Sequence, residues 1–119
     1  MRVIEANRVY IEAALEHSNG THDFESVRDA ILAGTMQLWP ASKSAAVTEV
    51  VEYAKKKVIN VFLAGGDLDE ITRGIDSVAA WAKAQGCDSM TIAGRKGWIK
   101  VLDKHGFAPS FVVMERALR

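Results

Sequence analysis

Residues 58–93 constrain the fold more than any other part of the chain. "VINVFLA", 58–64, is an almost unbroken apolar run of strand length, as expected for a strand covered on both faces. Gly65 and Gly66 interrupt it. "DLDEI" then opens a helix with carboxylates in its first turn, where the helix dipole favours them. The helical pattern continues to about Gln85. Leu68, Ile71, Ile75, Val78, Ala79 and Ala82 form one stripe, and Gly86 supplies the stop. "SMTIA", 89–93, reads as the next strand. Strand, helix and strand in that order call for a crossover connection and a parallel pair.

The flanking patterns add elements to this unit. Residues 2–5 read as a short first strand. A helix is expected from an Asn7 cap to about His17, with Ile11, Ala14 and Leu15 on its apolar side. Asp23 caps a second helix carrying Phe24, Val27 and Ile31, which Gly34 ends. "MQLWPA" is a short strand ended by Pro40. "AAVTEVVEY", 45–53, and the run from Val58 flank the polar turn "AKKK", so they predict an antiparallel hairpin. A last helix is expected from about Lys96 to His105, with Gly106 at its stop, and "FVVMERAL" closes the chain as a strand. The order is β-α-α-β-β-β-α-β-α-β. It predicts an α/β fold, an α+β mixed sheet with helices on both sides, in one domain over residues 1–119.

A chain of 119 residues suits one core. The formal net charge is zero, so a strongly basic surface for nucleic acid is not expected. No apolar run approaches a membrane span, and "MRVIEANRVY" lacks the apolar centre of a signal peptide. A cytoplasmic setting is the expectation. Cys87 is the single cysteine and reads as a small half-buried apolar residue. His17, His22 and His105 lack metal-ligand spacing, so no metal is expected. Trp39, Trp81 and Trp98 read as core or interface anchors.

The element order and the chain's end resemble the GNAT superfamily of N-acetyltransferases. "GWIKVLDKHGF", 97–107, resembles that superfamily's last helix running into its Gly-Phe step, and "VVMERAL" resembles its closing strand. "FLAGG" and "AGRKGW" are similar to stretches of small GNAT-like proteins of tailed phages, some of them virion components. The resemblance implies acetyl-CoA as cofactor. Its pyrophosphate would be held by main-chain N–H groups before the long helix, here Phe62, Leu63, Ala64, Gly65 and Gly66, with Arg95 as a phosphate ligand. The resemblance also implies a carboxylate base on a central strand, for which Glu49 and Glu52 are the candidates. The superfamily's Tyr acid falls on Leu102, which donates no proton; Tyr10 and Tyr53 are the other donors to consider.

The loop departs from the superfamily pattern. Ala64-Gly65-Gly66-Asp67 is short and lacks the usual Arg or Gln. Asp67 and Glu70 fit a capping box, in which Asp67 takes the N3 amide and Glu70 reaches back to the cap. Those carboxylates would fill the anion cradle and repel a phosphate. The leading expectation is therefore a phage or prophage GNAT-fold protein with a degenerate acetyl-CoA site. It would have a structural or interaction role, in host cytoplasm or virion, with a phage or host protein or a second copy as partner. The alternative is an active acetyl-CoA-dependent N-acetyltransferase acting on an unknown amine.

Overall fold

The computed structural model describes residues 2–18, 20–93 and 97–118. The chain forms α1 (Arg2–Ala6), α2 (Arg8–Leu15), α3 (Phe24–Ala33), β1 (Gln37–Pro40), β2 (Ser44–Glu52), β3 (Lys57–Gly66), α4 (Leu68–Ala84), β4 (Ser89–Ile92) and α5 (Trp98–Asp103). The sheet order is β1-β2-β3-β4. β1, β2 and β3 are antiparallel neighbours, and β4 runs parallel to β3. The mixed sheet, the hairpin and the strand–helix–strand unit are those expected from residues 37–93.

Two terminal expectations are corrected. Residues 2–6 are helical rather than a strand. Ile4 and Ile11 lie seven residues apart, two helical turns, and both are buried, at 4% and 2% exposure. Asn7 joins α1 to α2: its Nδ2 donates to the Val3 carbonyl at 2.8 Å instead of capping α2. At the other end, residues 107–118 form no strand, and Phe111, Val112, Val113, Met114 and Leu118 are 78–91% exposed. The short four-residue motif "FVVM" favours extension, but a strand exists only where a partner edge accepts its hydrogen bonds.

Helices cover both sheet faces. Ile4, Ile11, Ala14, Phe24, Val27 and Met36 pack with Val47 and Leu63 on one face. Ile59, Val78 and Ala82, with Trp39, Val50, Trp81 and Met90, pack on the other. The Trp39 and Trp81 rings meet edge to face at 5.5 Å between centroids. Val47 and Thr48, adjacent on β2, alternate between the two faces as a strand requires. Thr48 is fully buried; its hydroxyl accepts from Trp39 Nε1 and donates to Gln37 Oε1, both at 2.9 Å. On α4 the stripe narrows to Ile75, Val78 and Ala82, while Leu68 and Ala79 are exposed.

Caps and ties set where α3 and α4 begin and end. Asp23 accepts the Ser26 amide at 2.8 Å and Ser26 Oγ takes the Asp23 amide, a reciprocal capping box. At the far end of α4, Lys57 Nζ donates to the Gln85 carbonyl at 2.7 Å, and the Lys57 amide donates to Asp88 at 2.9 Å. One lysine of the basic turn thus serves the negative end of α4. No helix among the described residues is long and apolar enough to cross a membrane.

Candidate functional site

The parallel pairing of β3 and β4 stops at Val61↔Ile92. β3 continues for five more residues to Gly66, paired on its other side with β2. The register shifts there: Val47 faces Leu63 while Thr48 faces Val61, so Phe62 is an extra residue on β3. A bulge of this kind bends and twists its strand. From Phe62 onward, no described strand pairs with β3 on the side facing β4. Among the described residues, no strand takes up the main-chain groups on that side.

The opening is a cleft of about 670 Å³. Ala64, Gly65 and Gly66 form its floor, Leu68 and Ile71 of α4 one wall, Gly97 with Trp98 and Val101 of α5 another, and Ala13 of α2 with Glu16 and His17 just beyond that helix its rim. Asp67 caps α4 by accepting the Glu70 amide at 3.0 Å. The amides of Leu68 and Asp69, the first two of the helix, have no intrahelical acceptor.

Glu70 does not reach back to the cap. Its carboxylate accepts from Ser42 Oγ at 2.7 Å, from the Lys43 amide at 2.8 Å, and from Ser44 Oγ. It ties α4 to the β1–β2 turn. The Ser44 hydroxyl first, then the Ser42 hydroxyl and the Lys43 amide, hold its carboxyl below the usual carboxylate range. The expected capping box is therefore half formed, and one of the two carboxylates expected in the cradle is occupied elsewhere.

Both glycines answer to chain packing. A Cβ on Gly65 would overlap the Tyr10 carbonyl oxygen of α2 and lie 3.2 Å from its carbon. Gly66 has φ +111°, and a Cβ there would overlap the Lys43 carbonyl and sit 2.6 Å from Ser44 Cα. The Asp67 amide donates to that Lys43 carbonyl at 2.9 Å.

The candidates read from the sequence separate in space. Ala64, Gly65 and Gly66 line the cleft. Phe62 and Leu63 turn their side chains to the α1–α3 face, where Phe62 meets the His22 ring at 4.5 Å, so only their main chain is available to a ligand. Arg95 lies outside the described residues. Glu49 is half-buried and paired with Asn60, whose Nδ2 donates to it at 3.3 Å; Asn60 Oδ1 accepts from Thr91 Oγ1 at 2.9 Å. This polar row crosses three strands, one register step from Val61↔Ile92, the last β3–β4 pair. Glu52 is exposed at the hairpin end, opposite Lys57. Eight residues separate it from Ser44, roughly 26 Å along the strand. Tyr53 is exposed beyond it. Leu102 is 5% exposed and, with Ile75 and Val78 of α4, lines a second cavity. His17, Glu16 and Trp98 entered the cleft without a sequence signal; only the packing of α2 and α5 across the end of β3 brings them there. No cluster of metal-ligating side chains occurs among the described residues.

No family model and no curated protein sequence matches the chain. Solved structures do. An aminoglycoside acetyltransferase, meta-AAC0020 from an uncultured soil metagenomic sample, is 14% identical with a TM-score of 0.66, over 95% of this chain and 86% of that one. Glucosamine-6-phosphate N-acetyltransferase from Arabidopsis thaliana is 10% identical with a TM-score of 0.63, over 98% and 94%. The fold is GNAT-like, a mixed sheet with helices as in these acetyltransferases. TTHA1254 from Thermus thermophilus shares the GNAT-like fold at 20% identity and a TM-score of 0.65, over 98% of this chain and 93% of its own. In this GNAT-like fold the β3–β4 pairing ends five residues before β3 does, and Leu68 in the first turn of α4 lines the cleft beyond it.

Proposed function

We propose that this chain binds acetyl-CoA in the cleft between β3 and α5 and transfers its acetyl group to an amine. The observation that carries this reading is the run of β3 main chain from Phe62 to Gly66 that no described strand pairs on the β4 side and that leads to the N-terminus of α4. Extended ligands bind such edges by main-chain hydrogen bonds, and anions suit helix N-termini. The residues fit the group: the cleft volume lies in the usual range for ligand sites, and the Leu68 and Asp69 amides stand where a phosphate needs donors. The acetyltransferases of like fold support the same assignment.

When bound, the coenzyme supplies an acyl thioester. The chain's own part is positioning and proton handling. Main chain from Phe62 to Gly66 orients the extended arm. Asn60 and Thr91 lie one register step before the last β3–β4 pair, outside the residues that line the cleft, and in this reading an amine brought to that end of the pairing would give its proton to Glu49, which Asn60 orients. Leu102 has no proton to give, so that position of α5 would supply no acid to a leaving thiolate.

Titration calorimetry with acetyl-CoA and with CoA tests the reading. Micromolar binding is expected, and Glu49→Gln should keep binding while losing about a hundredfold or more in turnover. A flat trace at millimolar ligand would overturn it. That result would favour a second reading, a GNAT-fold structural or interaction protein of phage type. Three observations support this alternative: Gly65 and Gly66 are used by packing, Asp67 and Asp69 carry negative charge at the helix start, and Leu102 is buried.

A further inference from the structure

We propose that the cavity beneath α4 is an acyl pocket, and that the thioester this chain binds most tightly carries a hydrocarbon tail longer than acetyl. The inference deepens the coenzyme reading above and rests on it. The cavity has a volume of about 210 Å³ and lies between α4 and the sheet. It adjoins the cleft, because Ala64, Ile71 and Trp98 line both. Val61 and Ile92, the last β3–β4 pair, line it as well. A group held in the cleft thus has this second space directly beside it.

The walls suit hydrocarbon. Ala46 and Val61 of the sheet, Ile75 and Val78 of α4, and the Trp39 ring all line the cavity. The buried polar side chains on its boundary are engaged elsewhere. Thr48 Oγ1 accepts from Trp39 Nε1 and donates to Gln37 Oε1. The Glu70 carboxylate takes the donors of Ser42, Lys43 and Ser44. An apolar guest breaks none of these bonds, whereas a polar guest would leave its own groups unpaired.

Gly74 keeps the space open. It stands in the middle of α4, where glycine costs stability relative to alanine, and it lines the cavity. A Cβ there meets no described atom within 4 Å. Gly65 and Gly66 answer to neighbouring backbone, and Gly74 does not. Chain packing therefore gives no reason for it, and room for a guest does. An apolar cavity of about 150 Å³ holds benzene, so one of about 210 Å³ takes an acyl tail of that carbon count.

Titration calorimetry of the full chain with CoA, acetyl-CoA and hexanoyl-CoA tests the proposal. Each buried methylene multiplies affinity by about fourfold, and ordering the tail takes part of this back, so hexanoyl-CoA should bind about tenfold to a hundredfold more tightly than acetyl-CoA. Its heat-capacity change on binding should also be more negative. Gly74→Leu fills part of the cavity and should bring hexanoyl-CoA within about threefold of acetyl-CoA, with acetyl-CoA binding itself unchanged. Ala46→Val narrows the sheet side with a residue suited to a strand and should act in the same direction. Equal wild-type affinities for hexanoyl-CoA and acetyl-CoA would overturn the acyl pocket and leave the coenzyme reading standing. A hexanoyl preference that survives both substitutions would overturn the pocket too. Flat traces with all three ligands would overturn the coenzyme reading, and the pocket with it.

Discussion

Gly65→Ala separates the two reasons a glycine can stand at the mouth of the cleft. The added methyl would overlap the Tyr10 carbonyl oxygen, lie 3.2 Å from the carbonyl carbon and touch Ala14 Cβ at 3.4 Å. The obstacles are mostly backbone, so no rotamer change relieves them. Either α2 lifts from β3 or β3 bends. Both disturb the core that α2 builds through Ile11 and Ala14. Overpacking of this kind costs about 1–3 kcal/mol, and a backbone obstacle places it toward the upper end, about 2–3 kcal/mol. A domain near this size loses about 4 °C or more of Tm per kcal/mol, which gives a fall of roughly 8 °C or more. Thermal melts followed by circular dichroism, repeated with urea, provide the measurement. A variant melting within about 2 °C of wild type would refute the argument that α2 requires glycine there. If such a variant also lost acetyl-CoA binding, the glycine would belong to the ligand.

Gly74, in the middle of α4, gives the opposite sign. A Cβ there meets nothing within 4 Å, so Gly74→Ala should stabilise the chain by about 0.5–1 kcal/mol through helix propensity; an unchanged or lower urea midpoint would contradict this. Asp67→Ala removes the side-chain acceptor of the Glu70 amide and should cost about 1 kcal/mol in the same assay. The pH dependence follows from two carboxyls held low. Glu70 is lowered from 4.5 by Ser44, Ser42 and the Lys43 amide, and Asp23 from 3.8 by the Ser26 amide and hydroxyl. A depressed folded value means the stabilisation is complete above the unfolded value and is lost as pH falls through the folded one. Urea midpoints should therefore hold at neutral pH and decline in acid below about 4.5, and Glu70→Gln should flatten that decline. An equal slope in the variant would show that Glu70 contributes nothing to the acid limb.

The middle of the chain was readable in its order. Alternation and apolar runs mark β2 and β3, Gly65 and Gly66 mark the turn, and Asp23 and Asp67 mark the helix starts, because these signals act over a few residues. The termini were not. "RVIE" has strand-like composition, yet the burial of Ile4 beside Ile11 makes it helical, and that contact exists only once α1 and α2 pack on the sheet. Glu70 shows the same limit within the site. Its spacing from Asp67 suits a capping box, but Ser42 and Ser44 offer it stronger donors across 28 and 26 residues.

By itself, the sequence determined the mixed sheet, its hairpin and the crossover helix, because short-range periodicity carries that information. Tertiary structure alone decided that β3 outruns β4 to open a cleft, that His17 and Trp98 stand beside it, and that the glycines make room for Tyr10 and Lys43. Those outcomes depend on which distant segments press together, and no local pattern encodes a pressure exerted from elsewhere in the chain.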